Sequence, residues 1–158
     1  MKYLEGNPQN SSSNPCGQKA IFDTVDASMQ TITSIRVYKG TIPTEVEMDA
    51  GFDYTSRDAA DLLCIIDMTL ATKENNRYTV LPPNPTAVGT GDASWIVIES
   101  GVVGYESCWI VTDKVSVELG DGFLWLDTLT CTTGEPVVLR SFAWGLARNY
   151  TVDYYSLT

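Results

Sequence analysis

Apolar and polar residues alternate with a period of two along much of this chain, the spacing of strands whose side chains point to opposite faces of a sheet. The pattern is plainest in SWIVIESGVVGYESCWIVTD, residues 94–113, where Trp95-Ile96-Val97 returns as Trp109-Ile110-Val111 after a glycine-containing break. β-Branched and aromatic residues suit a pleated surface, and Gly101-Val102-Val103-Gly104 permits a reversal, so the two runs predict an antiparallel hairpin. Trp95 and Val97 fall on one face of the first strand and Ile96 and Ile98 on the other, so this strand needs cover on both. That cover is either a second layer from the same chain, with Phe142, Trp144 and Leu146 as its source, or another subunit. In residues 115–119, Val115, Val117 and Leu119 share one face against Ser116 and Glu118, as in a strand with one side on a core.

The same reading extends in both directions. Ile32, Ser34 and Arg36 oppose Thr33, Ile35 and Val37 in a strand closed by Lys39-Gly40. Residues 41–58 are acidic and turn-rich, with a one-turn helix expected after Ser56 as its cap. Asp61-Leu62-Leu63-Cys64-Ile65-Ile66-Asp67 is an apolar run between carboxylates, suited to a buried strand and too short for a typical helix. A polar connection over 72–76 leads to a strand at Arg77-Tyr78-Thr79-Val80-Leu81, which Pro82-Pro83-Asn84-Pro85 ends. Phe123-Leu124-Trp125-Leu126 and Val137 to Leu139 add two further runs. Phe142, Trp144, Leu146, Tyr150, Val152 and Tyr154 fall on even positions, as in a long or bent strand. Strands at roughly ten-residue spacing with Gly and Pro between them predict an all-β fold, an antiparallel sandwich or barrel-like domain.

Length and composition narrow this picture. At 158 residues the chain suits one domain, expected over 20–158. Residues 1–19, rich in Asn, Ser, Gly, Gln and Pro, are expected to form an N-terminal arm ordered only against a partner. With 20 acidic and 10 basic residues, no histidine and a formal charge of −10, the surface repels phosphate backbones, so no nucleic-acid partner is expected. The first residues lack the apolar core of a secretory signal and no run is long enough to cross a bilayer, which predicts synthesis in the cytoplasm without membrane insertion. Cys16, Cys64, Cys108 and Cys131 lack the short paired spacings of a zinc site or redox dithiol and are expected as reduced thiols.

DLLCIIDMTLATKENNRYTV, residues 61–80, resembles the D-R-V-L-V-K-N-Q-T, polar loop, N-G-I-Y-T-V pattern of a small β-module of tailed-bacteriophage tail-fibre and appendage proteins. In that module a strand ending V-E-S-G, then W-V-L-T-T-D, I-T-L-G and L-x-W follow. Here those places are held by Ile96-Val97-Ile98-Glu99-Ser100-Gly101, Trp109-Ile110-Val111-Thr112-Asp113, Val117-Glu118-Leu119-Gly120 and Leu124-Trp125. The resemblance covers about residues 60–126. Asn76-Arg77, Cys64 and Cys108 depart from it. It implies a virion structural protein, a fibre or appendage subunit or adaptor that contacts other virion proteins. A capsid decoration protein is the alternative.

Candidate chemistry is sparse. Without histidine the commonest general base and metal ligand is missing, and Cys64 between Leu63 and Ile65 is placed for burial rather than attack. Asp113, Glu118 and Asp121 near a glycine turn could ligate calcium, but their spacing fits solvated turn residues better. Glu99 and Asp113 are expected either to close strand ends through backbone N–H groups or to lie exposed. No catalytic residue, metal or cofactor is therefore expected. Trp95, Ile96, Val97, Ile98, Trp109 and Trp144 are the expected interface of a homo-oligomer, a trimer by the resemblance, and Tyr150, Tyr154 and Tyr155 a weaker glycan platform. A glycan-cleaving enzyme would need paired carboxylates in a groove, and no motif supplies them.

Overall fold

The structure, a computed structural model, describes residues 3–6, 30–44, 47, 53–74, 77–102, 108–113, 115–117 and 124–142. It is all-β. Among the described residues, twelve strands run in chain order: β1 (Tyr3–Gly6), β2 (Gln30–Tyr38), β3 (Leu62–Asp67), β4 (Thr72–Glu74), β5 (Arg77–Val80), β6 (Gly91–Asp92), β7 (Trp95–Val102), β8 (Cys108–Thr112), β9 (Val115–Ser116), β10 (Leu124–Leu126), β11 (Thr130–Cys131) and β12 (Leu139–Phe142). The largest sheet has the order β1-β8-β7-β2-β3, all antiparallel. A three-stranded sheet has the order β12-β10-β9, and β4-β5 and β6-β11 form two-stranded ribbons. No closed barrel is present among the described residues.

The hairpin expected from the repeated Trp-Ile-Val phrase is β7-β8, with Ile96 opposite Thr112 and Ser100 opposite Cys108. Its neighbour on the other side is β2, which pairs along its whole length with β7 and carries β3 on its far edge. The strand pattern and the resemblance over 60–126 together imply one contiguous antiparallel sheet unit there, but the chain divides that stretch. β3, β7 and β8 join the large sheet, with β2 inserted from outside the stretch, while β4-β5 and β9-β10 lie elsewhere and β9-β10 is parallel. Hydrophobic alternation reports which faces are covered and carries no information on which strand lies alongside, so this partition is not visible in the pattern.

Both faces of β7 are covered from within the chain. Ile96 and Ile98 join Ile32, Ile35, Val37, Cys64, Ile66, Leu124, Leu126, Leu139 and Phe142 in one core. Trp95 and Val97 join Tyr38 and Val111 in a second, smaller one, flanked by Ile42, Tyr54 and Leu62. Trp95, Ile96, Val97 and Ile98 are each 0% exposed, so they cannot be the oligomer interface expected of them. The second layer expected from the C-terminal run is supplied in part by Phe142. Trp144, Leu146, Tyr150, Tyr154 and Tyr155 lie outside the described residues, as does the Trp109 side chain.

Two local departures have clear causes. Strict alternation separates Ile32 from Ile35 and Val37, yet all three enter one core, because the β2-β7 register shifts between Ile32 and Ser34 and the bulge turns Ile32 onto their face. Val117 is 45% exposed: the strand expected over 115–119 is limited to Val115–Ser116, and the Val117 carbonyl instead accepts the Trp125 indole N–H at 2.8 Å. In the arm, the only described segment is β1, which adds to β8 with Tyr3 opposite Thr112 and Gly6 opposite Trp109.

Candidate functional site

The smaller core ends in a polar cluster, and its geometry follows from strand register. Side chains two apart on a strand share a face, so β2 presents Arg36 beside Tyr38, and β7 presents Glu99 beside Val97. Arg36 lies opposite Val97 and Ser34 opposite Glu99, which makes Arg36 and Glu99 diagonal neighbours within side-chain reach. A third piece comes from residues 53–61. A 3₁₀ turn over Tyr54–Arg57 leads into the single-turn helix α1 (Asp58–Asp61). Asp53 caps the 3₁₀ turn, its carboxylate accepting the Thr55 N–H at 3.0 Å, while α1, for which the pattern suggested Ser56 as cap, follows Arg57 and has no side-chain cap.

Arg36 bridges two carboxylates. Its Nε donates to Glu99 Oε1 at 2.9 Å and its Nη1 to Asp58 Oδ2 at 3.1 Å. Each carboxylate also accepts from a tyrosine: Tyr38 donates to Asp58 Oδ1 at 2.6 Å, and Tyr54 donates to Glu99. The Arg36 guanidinium carbon sits 5.2 Å from the Tyr54 ring centroid, so the ring adds a cation–π contact. Tyr38 in turn stacks on Trp95, with centroids 4.2 Å apart and planes 10° from parallel, and the Trp95 indole N–H donates to the Lys39 carbonyl at 3.0 Å. Glu99 is thus neither a strand-end cap nor free in solvent.

Burial raises the Tyr38 and Tyr54 hydroxyls well above the usual tyrosine range, and their hydrogen bonds to Asp58 and Glu99 raise them further. For Arg36, burial opposes the charge, but the Glu99 hydrogen bond and the charges of Glu99, Tyr38 and Asp58 outweigh it, and the pKa rises. The cluster therefore holds two phenols, two carboxylates and one guanidinium, directed at one another. Chemically it is a latch that fastens residues 53–61 over Trp95 and Val97. A second clamp holds the same segment, since Arg57 reaches Glu47 at 3.2 Å, Asp61 at 3.5 Å and the Thr41 carbonyl at 3.2 Å.

The latch gives a testable result. Arg36→Met should lower unfolding stability by about 2 kcal/mol, because it leaves two half-buried carboxylates close together without their shared cation. Arg36→Lys should recover little of this, since an ammonium cannot fork to both. Urea denaturation gives the energy, and faster tryptic cleavage at Arg57 would report release of the segment. Unchanged midpoint and cleavage would mean that the latch contributes nothing.

Cys64 and Cys131 are free, buried thiols, as expected. Burial first, and then Cys131, pushes the Cys64 thiol from 9.0 up to about 12. Where the folded pKa is the higher one, the contribution to stability is fully present below the unfolded pKa and is lost as pH rises towards the folded one. Cys64 begins to lose its share above about pH 9, and Tyr38 and Tyr54 add theirs above about pH 10. The urea midpoint should therefore fall between pH 9 and 12, and Tyr38→Phe with Cys64→Ala should flatten that fall. An equally steep fall in the double variant would assign it to other groups.

Sequence reasoning missed Arg36 and Asp58. The only signal was an arginine at a covered strand position, and its partners lie 22 and 63 residues away. Asp113 is exposed after β8, while Glu118 and Asp121 lie outside the described residues. Among the described residues no group of three or more Cys, Asp or Glu could hold a metal, and no helix is long and apolar enough to cross a membrane. No family model matches this chain, and no curated protein or solved structure matches it.

Proposed function

We propose that this chain is a non-enzymatic structural subunit of a bacteriophage virion, a fibre or appendage component or its adaptor, which assembles through β-rich contacts. The observation that carries the reading is the use made of the polar cluster: Arg36, Asp58, Glu99, Tyr38 and Tyr54 are directed at each other and fix the scaffold. A catalytic constellation directs such groups at a place where a reacting atom can sit. The resemblance over residues 60–126 supplies the setting. β10 and β12 contribute Leu124, Leu126, Leu139 and Phe142 to the core built by β2 and β7, the arrangement of a sandwich carrying an N-terminal extension.

Contacts with neighbouring virion proteins then fall to other surfaces than Trp95 to Ile98. Ile65, Leu70, Val80, Val88 and Val117 are large apolar side chains 42–62% exposed, and these suit such contacts. The test is immunogold labelling of particles purified from a producing culture, with an antibody against this chain. Label fixed on tail or appendage supports the proposal, and label over the head favours capsid decoration. A chain missing from purified particles would overturn both.

A further inference from the structure

The β8 edge of the large sheet is completed by β1, and β1 is joined to the rest of the fold through residues 7–29. The span to be crossed is short. Gly6 lies level with Trp109 and hence with Glu99, and Gln30 lies level with Val102. Three interstrand spacings and a few residues along the strands separate the two ends, about 15–20 Å. The intervening chain can reach about 80 Å when extended, several times what closure within one chain requires. Its Asn, Ser, Gly and Pro content gives it little apolar area to bury on its own.

We infer that β1 is exchanged between copies: Tyr3–Gly6 of one molecule adds to the β8 edge of a second, with the register it has in its own. This rests on the reading of the chain as an assembling subunit and names how two copies join. The ladder partners are the same in either arrangement, so pairing within and between chains differs chiefly in effective concentration. A connection of this length supplies roughly millimolar effective concentration, so dilute protein keeps its own strand and a crowded assembly trades it. An unfilled β8 would expose a row of unpaired backbone groups, and a strand from a neighbour fills it equally well.

The experiment uses full-length chains with Cys16→Ser and Cys108→Ser, leaving only the buried Cys64 and Cys131. Glu5 lies opposite Ile110, and facing Cα atoms of antiparallel strands are about 4.5–5.5 Å apart, within reach of a disulfide. One chain carries Glu5→Cys, a second Ile110→Cys, and a third both. Mixed at rising concentration and mildly oxidised, the first two should give a disulfide-linked heterodimer whose yield grows with concentration, while the third closes on itself when dilute. If the third closes and the first two never link at millimolar concentration, exchange is wrong. If the third fails to close, the β1-β8 register is wrong and the inference falls with it. Sedimentation of the unsubstituted chain separates the two ideas: association without the heterodimer overturns exchange and leaves the assembling subunit standing.

Discussion

Trp95→Ala is expected to cost about 3–5 kcal/mol of unfolding free energy, the loss typical of deleting a large buried aromatic side chain. Three effects combine. The indole is 0% exposed, its stacking on Tyr38 disappears, and the Lys39 carbonyl loses the N–H that donates to it at 3.0 Å. A domain of this size has about 5–15 kcal/mol in all, so the variant should lose a large share of its stability. Trp95→Phe keeps a ring against Tyr38 but leaves the carbonyl unpaired, and should fall between the two. Urea denaturation followed by the fluorescence of the three remaining tryptophans measures both. A Trp95→Ala midpoint equal to that of the wild type would show that the smaller core is not needed for the fold.

Gly89→Ala should cost about 2–3 kcal/mol for a different reason, overpacking against backbone. A Cβ at this position would lie 2.3 Å from the Leu62 carbonyl oxygen. That atom belongs to the chain entering β3 and has no rotamer with which to move aside. The loop is held there by the Val88 and Gly89 N–H groups, which both donate to the Leu63 carbonyl, at 2.7 and 3.3 Å. Relieving the clash means breaking them. Gly134 provides the comparison: its φ of +90° strains any side chain, but nothing lies within 4 Å of the added carbon. Gly134→Ala should therefore cost only about 1 kcal/mol, the conformational share alone. Equal losses at the two glycines would show that the contact at Gly89 relaxes without cost.

These two residues also mark how far the sequence can be read. Trp95 was legible: the period-two pattern placed it with Val97 and demanded cover on both faces of its strand, because burial and alternation are properties of a single strand. Gly89 was not, since close approach to Leu62 depends on where the 85–89 segment passes β3. The same division separates the β7-β8 hairpin from β2. Only five residues separate the hairpin partners along the chain, whereas β2 finds β7 across sixty-odd residues, and its bulge at Thr33 disguises the face that Ile32 shares with Ile35 and Val37. The latch was illegible for that reason. Arg36, Asp58 and Glu99 are unremarkable polar residues along the chain, and only the register of β2 against β7 and the fold-back of residues 53–61 bring them together.

The interior place of β2, between β7 and β3, has a consequence in time. It is translated before both of the strands that flank it, and at about 5–20 residues per second the interval between completion of β2 and completion of β7 is roughly 3–13 s. During that interval Ile35 and Val37 have no finished core to enter, and for the first part of it neither edge of β2 has a partner. Pairing over such separations is slow to form, because the connecting loop must close before any contact rewards it. Growth of the nascent chain thus delivers β2 before either of its neighbours, so the edges of β2 are available to other nascent chains until β3 and β7 emerge.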